Sequence, residues 1–203
     1  KANQIPRAIA ATKPGGPYLM ASDVQNNGLL STDVQTRPIA EPTWTVEYDG
    51  PTAQQLVRDG AATDTGAWIV GTGGLVLERD FAGTWSSLDG ALGPSQPGTA
   101  VTGIVVTGGT LLTSLTSQTE EGAFLQLGVR SATSWGVGLS RLTLAHIPPA
   151  ICTGPACDVS PAAGGLPGAL EDIWAAGDTI VAVGWRIRAD GTGIEPLMYV
   201  RTP

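Results

Sequence analysis

Lysine is nearly missing from this chain: Lys1 and Lys13 are the only two in 203 residues, and the net charge is −7. Nucleic acid and anionic membrane surfaces are repelled by such a chain, and no basic cluster offsets the repulsion. Histidine is reduced to His146, in L-A-H-I-P-P at the end of an apolar run. A Ser-His-Asp arrangement would need that one imidazole, and no G-x-S-x-G elbow accompanies it, so His146 reads as a structural or surface residue. Cysteine is limited to Cys152 and Cys157, too few soft ligands for a zinc site and too widely spaced for a redox C-x-x-C motif. No run approaches the roughly 18 apolar residues of a membrane-spanning helix. Neither a P-loop nor a dinucleotide fingerprint is present. Charged residues make up only 14% of the chain, well under the usual quarter.

What is abundant is turn chemistry, with 28 glycines and 15 prolines. Many turns imply many short elements, which favours strands over helices. Short apolar segments bounded by Gly, Pro or Asn fall into four units in one domain spanning 1–203. The first, 7–48, has strands at Arg7–Thr12, Tyr18–Ser22, Leu29–Val34 and Thr43–Tyr48, with a turn at Asn26-Asn27-Gly28. The second, 55–89, has Gln55–Arg58, Gly66–Gly71, Leu75–Arg79 and Thr84–Leu88, with a turn at Gly73-Gly74. The third, 101–144, has Val101–Thr107, Thr110–Leu115, Ala123–Val129 and Ser134–Leu144. The fourth, 170–203, has Asp172–Ala176, Thr179–Arg188 and Pro196–Arg201. An irregular segment, 148–168, holds both cysteines.

The units share internal patterns. Ala67-Trp68-Ile69-Val70-Gly71 matches Ile173-Trp174-Ala175-Ala176-Gly177, and Ile104–Gly108 has the same shape without the tryptophan. Thr43-Trp44, Thr84-Trp85 and Ser134-Trp135 close successive units at spacings of 41 and 50 residues, near the roughly 40–50 residues of a four-stranded propeller blade. A single sheet cannot bury both faces, so stacked blades are expected to fill the wedges between them with Trp44, Trp68, Trp85, Trp135, Trp174 and Trp185. The expectation is an all-β, β-propeller-like array of about four antiparallel blades. The last unit reads one strand short. The array is therefore complete through another segment such as Arg7–Thr12, completed by another chain, or part of a larger propeller.

The stretch A-W-I-V-G-T-G-G-L-V-L-E-R-D-F-A-G-T-W-S (67–86) resembles the blade signature of bacterial BNR-like and photosystem-assembly-factor-like β-propellers, and D-I-W-A-A-G (172–177) resembles its opening. Asp80, Thr84 and Trp85 occupy positions of the sialidase Asp box, with Glu78 in place of its serine and Gly83 one position late. In that family the box is a structural turn, so the resemblance implies architecture rather than activity.

Candidate chemistry is sparse. Glycoside hydrolysis would use paired carboxylates, for which Glu120-Glu121, Glu171-Asp172 and Glu47 with Asp49 are available. Gripping a substrate carboxylate would use arginines, such as Arg186 and Arg188 on one strand. No cofactor is expected; calcium is conceivable at Asp/Gly turns such as Asp190-Gly191, although no EF-hand pattern is present. The C-T-G-P-A-C turn suggests a Cys152–Cys157 disulfide and hence an extracellular, periplasmic or cell-surface location, with the leader gone from this chain. The surrounding loop, including Thr153, Gly154, Pro155 and Asp158, is the expected partner site. The leading functional expectation is a non-catalytic exported module that binds a protein or glycan, with no nucleic-acid binding or membrane insertion. The alternatives are a sialidase-like carbohydrate-active enzyme or a fragment of one, and a self-associating subunit of a surface layer or filament.

Overall fold

The computed structural model describes residues 3–11, 16–51, 53, 55–88, 100–107, 110–116, 124–126, 129–131, 134–136, 168–177, 179–188, 190 and 192–201. Among these the chain is all-β, with antiparallel sheets and no helix. It divides into two compact units, Lys1–Pro97 and Gly98–Pro203.

The first unit holds two four-stranded meanders. One comprises β1 (Asn3–Ala11), β2 (Tyr18–Asn26), β3 (Leu29–Arg37) and β4 (Thr45–Asp49). The other comprises β5 (Val57–Ala62), β6 (Ala67–Gly71), β7 (Val76–Arg79) and β8 (Trp85–Ser87). Local chemistry makes the tight hairpins. Asn27 and Gly28 have φ of 52° and 80°, and Gly73 and Gly74 have 65° and 77°. Two successive residues in the left-handed region form the turn whose twist suits a two-residue hairpin.

The second unit holds a three-stranded sheet of β9 (Ala100–Thr107), β10 (Thr110–Thr116) and β11 (Phe124–Gln126), and a hairpin of β12 (Val129–Ser131) and β13 (Ser134–Gly136). A second three-stranded sheet follows, of β14 (Gly168–Ala176), β15 (Thr179–Ile187) and β16 (Ile194–Arg201).

One device recurs in the first strand of all four larger sheets. Pairing of β1 with β2 jumps from Pro6↔Ser22 to Ala8↔Ala21, leaving Arg7 as an extra residue. The same jump leaves out Arg58 in β5, Thr102 in β9 and Glu171 in β14. A bulge bends its strand and sharpens the twist, so the four sheets begin with the same local distortion.

Within each unit the bulged first strands lie close to a neighbouring sheet, β1 against β5 and β9 against β14. The first seam widens outward. Near β1 and β5 the facing groups are small: a Cβ on Gly60 would lie in ordinary contact with Ala8 Cβ at 3.6 Å. Farther out, Ala21 and Val34 meet Val57, Ile69, Leu75 and Leu77, all buried. Burial contributes about 1.5–3 kcal/mol for each large aliphatic side chain. At the outer end Tyr48 and Trp85 pack against this core, with ring centroids 6.3 Å apart. In the second unit the close approach falls at Gly103, where a Cβ would sit 2.9 Å from Ile173 N and from Ser114 Oγ.

Several sequence expectations shift. Of the expected strand Arg7–Thr12, residues 7–11 belong to β1, hydrogen-bonded to β2. The expected strand Ala123–Val129 is divided between β11 and the separate β12–β13 hairpin. The two Trp-x-x-Gly matches are not equivalent in structure. Trp68 lies on β6, the second strand of its sheet, whereas Trp174 lies on β14, a first strand. Ile104–Thr107 on β9 is the stretch that occupies the same place as Ile173–Ala176, as the bulges at Thr102 and Glu171 define it.

Candidate binding face and its carboxylates

A register shift between β3 and β4 separates the carboxylates that the sequence placed together. Tyr48 pairs with Val34, but Val46 pairs with Gln35, so Glu47 is the extra residue. Glu47 turns to the neighbouring sheet, where its carboxylate accepts from Arg79 Nε at 2.8 Å, Arg79 Nη2 at 3.2 Å and Trp85 Nε1 at 3.1 Å. Asp49 lies directly across from Asp33 on the neighbouring strand. Glu47 and Asp49 therefore do not form a catalytic pair.

Other acidic groups also join strands. Buried Asp23 accepts Arg7 Nε at 2.6 Å and the Val57 N–H at 2.8 Å, linking β2 to the bulge of β1 and to β5 of the next sheet. Glu171 accepts Trp185 Nε1 at 2.9 Å, and Asp172 Oδ1 accepts the Ile173 N–H at 2.7 Å. Asp80 receives the Thr84 N–H at 2.8 Å and closes the β7–β8 turn, where Gly83 has φ of 89°. Asp190 Oδ1 accepts both the N–H and the hydroxyl of Thr192. Those two bonds, backbone first, lower its pKa.

The face of β1–β4 turned away from the second sheet was not singled out by the sequence. Asp23 and Val34 point toward β5–β8, so alternation places Tyr18, Ser22, Asp33 and Arg37 on the opposite face. There the Arg37 guanidinium sits 5.8 Å from the Tyr18 ring centroid and 5.1 Å from that of Trp44, a cation–π stack. Arg37 Nε is buried without a hydrogen-bond partner. In the next part of this face, Ser22 pairs with Asp33, which pairs with Asp49. Burial, then the Asp49 charge, then the bond to Asp49 raise the Asp33 pKa.

The tryptophans expected to fill wedges differ in setting. Trp68 is buried and donates Nε1 to Glu78 at 3.3 Å. Trp85 packs at the outer seam and Trp44 stacks on Arg37. Trp185 is bonded to Glu171. Trp174 is 55% exposed, on a face of β14–β16 shared with exposed Val183, Ile194 and Met198. The Trp135 side chain, His146, the Glu120-Glu121 pair, Cys152, Thr153, Gly154, Pro155, Cys157 and Asp158 lie outside the described residues, as does the Arg186 side chain. Arg188 follows β15 and is exposed. Among the described residues no three His, Cys, Asp or Glu side chains converge as a metal-binding group. No family model and no curated protein matches the chain.

Proposed function

We propose that this chain is a non-catalytic, exported binding or assembly module on a β-propeller-like scaffold. The observation that carries the reading is the use made of its acidic side chains. Glu47 holds Arg79 and Trp85, Asp23 holds Arg7 and Val57, and Glu171 holds Trp185. A glycosidase needs two carboxyl groups free to face a substrate, whereas these are engaged in joining strands and sheets. The blade-like architecture is supported by the four bulged first strands and by small residues where neighbouring sheets approach. Ligand contact is assigned to the Tyr18–Arg37–Trp44 stack, an amphipathic surface suited to a protein or glycan bearing a carboxylate, and to the cysteine-bearing segment that the sequence singles out.

The test combines a panel of fluorogenic glycosides, sialosides included, with capture of protein and glycan partners on immobilised chain. No turnover is expected, together with partner capture that Arg37→Ala weakens. Turnover that Glu47→Gln abolishes while the fold persists would restore the enzyme reading. A second reading, a self-associating structural subunit, draws on the exposed apolar face carrying Trp174, Val183, Ile194 and Met198. It predicts a concentration-dependent sedimentation coefficient that Met198→Ser reduces.

A further inference from the structure

We propose that Asp33 and Asp49, with the Ser22 hydroxyl, form a binding site for a calcium-class divalent cation on the outer face of the first sheet. Like charges directly across a strand pair repel, yet β3 and β4 hold these two carboxyl groups directly opposite each other. A single cation can bridge two groups that close. The second observation is independent of the acidic pair. Ser22 is fully buried, stands directly across from Asp33 on the same face, and its Oγ has no hydrogen-bond partner. Asp33 Oδ1 is likewise buried and unpartnered. Buried polar atoms without partners are uncommon and call for an explanation; a ligand shared by these two paired residues provides one.

The surrounding charges favour this assignment. Pro6, opposite Ser22 on β1, brings neither charge nor donor. Arg7 is bonded to Asp23, whose side chain points to the other face. Arg37 lies farther along β3 between Tyr18 and Trp44. The donors are hard oxygens, which suit calcium or magnesium rather than zinc. Calcium accepts an irregular oxygen set completed by water, whereas magnesium demands near-octahedral geometry. Exposed Asp49 gives the ion a route from solvent. Two carboxylates and one hydroxyl correspond to a weak site, with Kd on the order of 10⁻⁴–10⁻³ M as in extracellular modules.

The experiment is thermal unfolding of the full chain at neutral pH, with chelator, with calcium chloride to about 10 mM, and with magnesium chloride as a size control. Calcium is expected to raise Tm by several degrees, more than magnesium does, and to sensitise terbium emission when terbium replaces it. Asp49→Asn, which removes the like charge without adding bulk, is expected to raise Tm in chelator and to lose the calcium response. Ser22→Ala is expected to weaken binding severalfold, and Asp33→Asn gives a second test of the carboxylate pair. A Tm unmoved by calcium, or a calcium response retained in both Asp49→Asn and Asp33→Asn, would overturn the site.

Discussion

Where two sheets meet in the first unit, Asp23 joins them through charge; where two sheets meet in the second, Gly103 lets them approach because it has no side chain. Both meetings lie beside a bulged first strand. At the first, Arg7 is the bulge residue, and its guanidinium turns to Asp23, which also takes the Val57 N–H from the facing sheet. At the second, Thr102 is the bulge residue, and its hydroxyl bonds Ser114 Oγ at 2.9 Å beside Gly103. The backbone plan is common to both and the side chains differ. Charged contacts give registry, because a misaligned sheet would strand a buried carboxylate. Close glycine contacts give packing and no polar preference.

That contrast can be broken from either side. The largest effect is expected from Gly103→Ala, whose Cβ would press on the Ile173 backbone and on Asp172 Oδ1 at 2.9 and 3.0 Å. Overpacking against backbone costs about 3 kcal/mol, read as a lower urea midpoint. Asp23→Ala should cost about 2 kcal/mol by leaving the buried Val57 N–H without an acceptor, and Asp23→Asn should cost less because its amide oxygen can still accept. Glu47→Gln retains an acceptor for Trp85 but loses the ion pair to Arg79, both groups partly exposed. About 0.5–1 kcal/mol is expected, diminishing in high salt.

The smallest effect is a pH dependence. Because the folded-state pKa of Asp33 is raised above 3.8, the folded chain binds that proton more tightly than the unfolded chain. The resulting stability is fully present below the unfolded value and is lost as pH rises through the raised folded value. Equilibrium unfolding across that interval, without divalent cations, should show a decline that Asp33→Asn removes.

Turn chemistry and apolar alternation made the all-β class legible in the sequence, and Asn27-Gly28 and Gly73-Gly74 marked their hairpins directly. β5 was harder to see because Asp59, Gly60 and two alanines carry little strand preference. A Cβ on Gly60 would fall 2.7 Å from Ile69 Cδ1 on the paired strand, a cross-strand reason that local propensity does not carry. The bulges were hidden for a similar reason, since a single extra residue is defined only by its partner strand. That is why Glu47 and Asp49, two residues apart, read as one acidic pair but end on opposite faces, and why Trp68 and Trp174 matched in sequence but occupy different strands. The Ser22–Asp33–Asp49 row depends on two strand registers, so no local motif announces it.

The charged junction of the first unit is tested most directly by native-state hydrogen exchange at the Val57 amide in wild type and Asp23→Ala. The account predicts strong protection in wild type. In the variant, protection should fall at Val57 and through β5, while β14 and β15 keep theirs. Unchanged protection at Val57 in the variant, or an equal loss across both units, would contradict it.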